Sequence, residues 1–426
     1  MLVHMYNLFL KRIWVLIIGL SLMSWNSKAQ DTMQQIIPNR TNAPAQVTRP
    51  YVILISADGY RYDLTEKYNA QFLKQLSNNG VKAVSMKPSY PSLTFPNHYS
   101  IITGLYPSHH GIVDNTFYDP NRKQFYKVSN KYAVRDSSWY GGEPLWVLAE
   151  TQKMLSASFY WVGSESHIDG VPPTYYYNYS ESIPIDRRIA ILQEWLQKPA
   201  TTRPHFITFY FPEVDHQEHL HGVDAKQTEA AVHFVDSSIH KIVEMCRSTR
   251  LPINFIFVSD HGFANIDSTK DLFLPTVIDT GKFTIAKGGE LIHLYAKNKA
   301  DIEPTYKAIK KVAQNYNVYL INKTPKKWHY RKKDDKYGRL GDIILAPNPP
   351  YSFYFGSRKM MGAHGFDNRL PEMQATFYAW GPAFKQHIQV KNFENINIYP
   401  LIAHILGLHI DTPIDGNFRK LKKTLK

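Results

Sequence analysis

A single cysteine, Cys246, stands among 426 residues, so the chain cannot staple itself with an internal disulfide. Stability beyond a hydrophobic core then has to come from ligands such as bound metals. Cys246 lies in the apolar pattern of a helix and reads as a small buried hydrophobe. Also missing is an apolar run long enough to span a bilayer: residues 13–23 fall short of the roughly 20 that a spanning helix needs. There is no internal repeat, no low-complexity tract and no recognisable nucleic-acid module, so sequence-specific nucleic-acid binding is not expected. Acidic residues are scarce, 36 Asp and Glu against 50 Lys and Arg, for a formal net charge of +14. That balance favours anionic partners, among them envelope surfaces and phosphate esters.

Lys11 and Arg12 precede the apolar stretch, and Ser27-Lys28-Ala29 closes it with a small-x-small pattern before Gln30. Residues 1–29 therefore read as a secretory signal peptide, and the expected location is periplasmic or extracellular, with no integral membrane span after cleavage. Residues 30–48 read as a flexible linker, 49–416 as one large domain and 417–426 as a short basic tail.

Inside the domain, short apolar runs alternate with helical patterns. Residues 51–56, 206–211 and 253–258 are continuous apolar stretches, the pattern of strands buried on both faces. Further strands are predicted over 83–86, 155–161 and 374–379, and helices over 65–78, 143–151, 185–197, 228–246 and 398–406. The spacing predicts an α/β fold with a mostly parallel central sheet and helices on both faces. A change of texture over about 280–355 predicts a small αβ insertion, with the basic stretch 323–336 as a solvated loop.

In such sheets ligands gather at the carboxyl ends of the strands, and Asp58, Asp215 and Asp260 each follow a predicted strand. Asp215 and His219 are four apart, which on a helical turn puts both on one face. Asp260 adjoins His261 at a strand end, and His364 lies in a late loop. Singly, each has a plainer reading: Asp58 or Asp260 as a helix cap, an Asp–His pair as surface polarity. Together they form a nitrogen and oxygen donor set without thiolate, suited to zinc. Two metals about 3.5–4 Å apart can clamp both oxygens of an in-line displacement.

The missing nucleophile is Thr94, placed where a helix begins over 99–103. Its hydroxyl could be an N-cap, or could sit at a helix N-terminus that favours a bound anion. Metal coordination would make it a nucleophile. The Phe95 backbone N–H and the Asn115 amide, twenty-one residues after Thr94, are candidate donors to the transferred group. The remaining histidines, His98, His109, His110, His216, His221 and His404, read as structural or exposed.

Taken in order, LISADGYR (54–61), SLTFPNHYSIITGLYPSHHGIVDN (92–115), EVDHQEH (213–219), SDHGF (259–263) and AHGFDN (363–368) resemble the nucleotide pyrophosphatase/phosphodiesterase family of the alkaline phosphatase superfamily. The resemblance runs from about residue 49 to 416. It implies an alkaline-phosphatase-like fold and a phosphodiesterase catalytic domain holding two Zn²⁺ per chain. Asp215, His219 and His364 would hold one zinc; Asp58, Asp260 and His261 would hold the other, with Thr94 bound to it as the nucleophile. Asn115 matches the family's phosphate-binding asparagine, and Phe95 with a tyrosine at Tyr176 would sandwich a base. The implied substrate is a small-molecule nucleotide diester or pyrophosphate, cleaved to a nucleoside 5′-monophosphate through a threonyl intermediate. A monomer or weak oligomer is expected. Val214 and Glu218 depart from the family's usual Pro and Gly, and with one Cys the chain would lack the cysteine-rich domains of the large animal members. The alternatives are a phosphomonoesterase, a lipid-headgroup or phosphonate phosphodiesterase, and a non-catalytic, metal-stabilised envelope binding protein.

Overall fold

A computed structural model describes residues 32–356 and 360–426; the signal-peptide reading of residues 1–29 lies outside them. The central sheet is built from β1 (Gln34–Ile36), β2 (Tyr51–Ala57), β3 (Val81–Ala83), β4 (Ser156–Phe159), β5 (Tyr175–Tyr177), β6 (Phe206–Phe211) and β7 (Ile253–Val258). An insertion adds β8 (Phe283–Lys287), β9 (Ile292–Ala296), β10 (Tyr316–Leu320) and β11 (Ile343–Pro347), after which β12 (Phe377–Trp380) and β13 (Ile388–Val390) rejoin the sheet. Its order is β1-β5-β4-β6-β2-β7-β12-β3-β13. The run β5-β4-β6-β2-β7 is parallel throughout, with antiparallel pairs at β1–β5, β7–β12 and β12–β3. This is the expected α/β architecture.

Every residue of β2 and β7 is buried, as their unbroken apolar runs require. Val52 and Leu54 of β2 face one core layer, shared with helix α1 (Thr94–Thr103) and the late helix Ile398–Leu406. Ile53 and Ile55 face the other, shared with α2 (Ile185–Leu196), α3 (Glu213–His221) and α4 (Lys226–Ser248). Period-two alternation thus splits one strand between two cores. Among the described residues, no helix is long and apolar enough to cross a membrane.

Several local readings change, among them the strand over 83–86, which is replaced by Val81–Ala83 and Met86–Lys87. The helix over 65–78 is two, Leu64–Lys67 and Gln71–Asn79, broken where Asn69 turns to φ 50°. The stretch 30–48 is not free over its described part. β1 pairs with β5, and Asn42, buried, donates to Ala200 O and Arg203 O while accepting from Leu155 N. Its polar side chain serves backbone groups of the core instead of solvent. Likewise 417–426 packs down through the fully buried Leu421 and Thr424.

The insertion closes as a four-stranded antiparallel sheet, β8-β9-β11-β10, over the helix Ile302–Val312; β8 escaped the sequence reading. The stretch 323–336 is not a solvated loop. Trp328 and Tyr330 are buried beneath its lysines, Trp328 stacking on Tyr90 at 3.7 Å between ring centroids. The Trp328 indole N–H donates to Asp367 Oδ1 and the Tyr330 hydroxyl to Val113 O. Two aromatic anchors outweigh the local charge and strap the insertion to the main domain.

Candidate active site

The site lies at the carboxyl edge of β6, β2 and β7. Asp58 follows β2, Asp215 sits in the first turn of α3 after β6, and Asp260 lies two residues beyond β7. All three carboxylates are buried. Asp58 Oδ2 accepts from the Tyr210 hydroxyl at 2.6 Å, and Asp260 Oδ1 from the Gly59 N–H at 3.2 Å. Their other oxygens, Asp58 Oδ1 and Asp260 Oδ2, have no hydrogen-bond donor, nor has Asp215 Oδ1.

Those unmatched oxygens face histidine nitrogens. His261 Nε2 is 3.4 Å from Asp58 Oδ1 and 2.9 Å from Asp260 Oδ2. His364 Nε2 is 3.4 Å from Asp215 Oδ1 and 3.2 Å from His219 Nε2, which is 3.7 Å from the same Asp215 oxygen. Two compact donor groups result, Asp58–Asp260–His261 and Asp215–His219–His364, and the stacked rings of His261 and His364 bring Asp215, His261 and His364 within reach of one point as well. The outward nitrogens are used up: His219 Nδ1 meets Gly362 O, His261 Nδ1 meets Gly262 O and His364 Nδ1 meets Ser92 O. A ring nitrogen facing a carbonyl carries the proton, so each Nε2 is left as a lone-pair donor.

Charge coupling runs through the cluster: burial works against the His261 cation, yet Asp260 raises His261 above the ordinary histidine value. Burial, then Asp260 and Asp215, push the Asp58 carboxyl well above its usual range. Burial works against Asp260 too, yet His261 and His98 hold it well below. Burial, then His261 and His219, keep His364 well below the ordinary histidine value. Clustered carboxylates with unmatched oxygens and three imidazoles in the neutral-donor geometry fit divalent cations of the zinc kind.

Thr94 is the first residue of α1, and the cap position belongs to Leu93, without a side-chain cap bond. The cap alternative for Thr94 therefore falls. Its Oγ1 lies 3.3 Å from His261 Nε2. Asn115 is close by, but its Oδ1 accepts the Phe95 N–H at 3.1 Å. That N–H is occupied, and the Asn115 amide nitrogen is the remaining donor. Glu218, at the position of a departure noted above, is buried behind the site with both oxygens unmatched. Its Oε2 would lie 3.0 Å from a Cβ on Gly59, whose φ of +69° itself suits glycine.

A cleft of about 320 Å³ opens from Thr94 and Phe95 and is walled by Tyr160, Trp161, Tyr179 and Tyr210. Tyr176 is not among its lining residues. Alternation along β5 turns that side chain away, and its hydroxyl meets His167 Nε2 at 2.7 Å. Tyr179, beyond the strand end, lines the cleft instead, its ring 5.2 Å from Tyr160 and 6.1 Å from Tyr210. Tyr179 closes the tyrosine-rich stretch 175–179; Tyr210 lies outside the motifs quoted above, and His98 lies within 92–115 but reads there as structural.

Residues 52–367 match the type I phosphodiesterase / nucleotide pyrophosphatase family. The chain is 34% identical over 426 residues to ectonucleotide pyrophosphatase/phosphodiesterase family member 1 of Mus musculus, covering 95% of this chain and 45% of the mouse protein. It is 33% identical over 400 residues to a venom phosphodiesterase of Crotalus durissus collilineatus, covering 91% of this chain and 48% of that one. It thus spans about half the length of these relatives. Murine ectonucleotide pyrophosphatase / phosphodiesterase 5, solved as an inactive threonine-to-alanine variant in complex with AMP, superposes with a TM-score of 0.83 at 26% identity, over 89% of this chain and 100% of that chain. By fold, sequence and the arrangement of its buried donors, the chain belongs to the type I phosphodiesterase / nucleotide pyrophosphatase family.

Proposed function

We propose that the protein is a two-zinc phosphodiesterase that hydrolyses nucleotide phosphodiester or pyrophosphate bonds to nucleoside 5′-monophosphates through a covalent threonyl intermediate. The observation that carries this reading is the placement of Thr94 Oγ1, 3.3 Å from His261 Nε2, at the edge of two groups of unmatched buried donors. Asp215, His219 and His364 would hold one zinc, and Asp58, Asp260 and His261 the other; together the ions would lower the pKa of the Thr94 hydroxyl and neutralise charge on the phosphoryl oxygens.

The rest falls to the chain's own residues. Thr94 Oγ1 attacks phosphorus, forming the Oγ1–P bond as the bond to the leaving oxygen breaks. The Asn115 amide nitrogen donates to a phosphoryl oxygen, aimed by the bond its Oδ1 accepts from Phe95 N–H. Water then cleaves the threonyl–phosphate bond, returns a proton to Thr94 and frees the monophosphate. Phe95 and Tyr179, on the cleft wall, would hold the base by stacking. Relatives named as ectonucleotide and venom phosphodiesterases support action outside the cytoplasm, in keeping with the signal-peptide reading of residues 1–29.

The test is Thr94→Ala in zinc-loaded protein, assayed on a nitrophenyl ester of a nucleotide. Loss of the nucleophile is expected to lower kcat by at least about a thousandfold at unchanged zinc content. Undiminished turnover would overturn the mechanism, and a strong preference of the wild type for monoesters would overturn the substrate class.

A further inference from the structure

The sequence gives His98 no role, yet its ring is fully buried between the nucleophile's helix and the Asp58–Asp260–His261 group. It sits four residues after Thr94 in α1, and helical side chains lean back toward the N-terminus, so the ring returns over the first turn. There His98 Nδ1 lies 3.1 Å from Thr94 O and 3.3 Å from Asp260 Oδ2. Both neighbours are acceptors only, so Nδ1 must carry the proton. On the far side, His98 Nε2 lies 2.8 Å from Ser56 Oγ, a hydroxyl able to donate to it. Edge contacts with Trp161 at 5.1 Å and Tyr210 at 5.3 Å prevent the ring from swinging away. Trp161 adds a bond from its indole N–H to His98 O, and Tyr210 is the donor to Asp58.

We propose that His98 is a positioning residue that fixes the Thr94 backbone against the Asp260 carboxylate, so that the hydroxyl and the metal-binding oxygen keep one spacing. The inference rests on the proposed two-metal reading and adds to it a group outside the ligand set. Ser56 sets the tautomer, Nδ1–H meets Thr94 O, and the same nitrogen stands 3.3 Å from Asp260 Oδ2 without saturating it. Carboxylates in metal sites gain affinity from such outer contacts, and losing one typically costs about 10- to 100-fold in metal affinity or activity.

Two isosteric variants separate the ring's halves. In His98→Asn the amide nitrogen can occupy the place of Nδ1; in His98→Gln it reaches toward Ser56 and leaves Thr94 O without its side-chain donor and Asp260 Oδ2 without a facing N–H. Zinc affinity by chelator competition, kcat and KM on a nitrophenyl nucleotide ester, and the unfolding midpoint of metal-free protein are measured for both. The expected result for His98→Gln is zinc affinity weakened about 10- to 100-fold at one of two sites, and kcat lowered with KM little changed. His98→Asn is expected to recover most of both. Equal losses in the two variants, or a change confined to the metal-free midpoint, would mean a packing role and overturn the proposal. Should neither variant fold, Ser56→Ala carries the same expectation in milder form, and wild-type affinity and kcat there would overturn it. Thr94→Ala is run alongside: if it stays active, the two-metal reading fails; if it is dead while His98→Gln matches the wild type, the inference about His98 alone fails.

Discussion

The imidazole of His261 lies flat against that of His364, ring centroids 3.6 Å apart and planes 13° apart. One ring faces Asp58 and Asp260, the other Asp215 and His219. The stacked pair is thus the wall between two donor groups, built from residues about a hundred positions apart. Each ring is pinned from behind by a backbone carbonyl, Gly262 O or Ser92 O, so neither group can relax without disturbing the other.

Metal removal should therefore cost stability as well as activity. A cation that binds only the native state stabilises it by about 4 kcal/mol at a thousandfold excess over Kd. Without it, Asp58, Asp215 and Asp260 are clustered closely enough to raise the Asp58 carboxyl, each with an unmatched oxygen. Scanning fluorimetry with and without a chelator is expected to show a lower midpoint in the chelator and recovery on adding Zn²⁺. Identical midpoints would contradict a resident cation.

Tyr179 and Tyr176 should part company in kinetics. Base–aromatic stacking is worth about 1–3 kcal/mol by alanine substitution, so Tyr179→Ala or Phe95→Ala should raise KM for a nucleotide ester by roughly 5- to 150-fold. Tyr176→Phe loses only the contact with His167 and should leave KM unchanged. A phosphodiester without any aromatic group should be indifferent to all three changes. An effect at Tyr176 equal to that at Tyr179 would put the base elsewhere.

Trp328 is the anchor of the insertion. Trp328→Ala removes a fully stacked ring and the bond to Asp367, and buried Trp→Ala changes cost about 3–5 kcal/mol. Chemical denaturation should show that loss, and limited proteolysis should open within 323–336 in the variant but not in the wild type. An unchanged cleavage pattern would mean that the other contacts of the strap suffice.

His110 should make the fold sensitive to acid. It is fully buried, its Nδ1 accepts the Ile112 N–H, and burial pulls its pKa down to about 3. The folded value lies below the unfolded one near 6.5, so the unfolded chain takes up the proton first. The stabilisation is present in full above about pH 6.5 and is lost as pH falls toward 3, by up to about 1.4 kcal/mol per pH unit. Denaturation at pH 7.5, 5.5 and 4.5 should show a steeper decline in the wild type than in His110→Gln. Parallel declines would assign the acid sensitivity to other groups.

The three central strands were legible because strands buried on both faces admit little but apolar residues, and residues 206–211 and 253–258 read as they fold. The clustering of the Asp and His residues was legible because a metal-type donor set restricts residue type and the strand ends fix position. Asn69 was not: a helical pattern continues across it, and only its left-handed backbone breaks the helix. Charge hid the anchoring of 323–336, since two aromatic residues decide what the lysines around them do. That Tyr176 faces away from the cleft was not legible either, because facing alternates along a strand and cannot be counted through a run of like residues. His98 was invisible because its partners, Ser56, Thr94 O and Asp260, converge only in three dimensions.

The parallel ladder has one further consequence. Ser56 pairs with Val258 on one side of β2, which carries Asp58 opposite Asp260, while Ala57 pairs with Phe211 on the other. Neighbouring strands stand about 4.8 Å apart, which sets Asp58 and Asp260 side by side in one donor group. The gauge of the site is therefore machined into the backbone, and side chains only trim it. Surface sequence can drift freely around such a gauge. A single residue inserted into β2 would instead turn Asp58 to the opposite face, dismantling the site even with all its ligands still encoded.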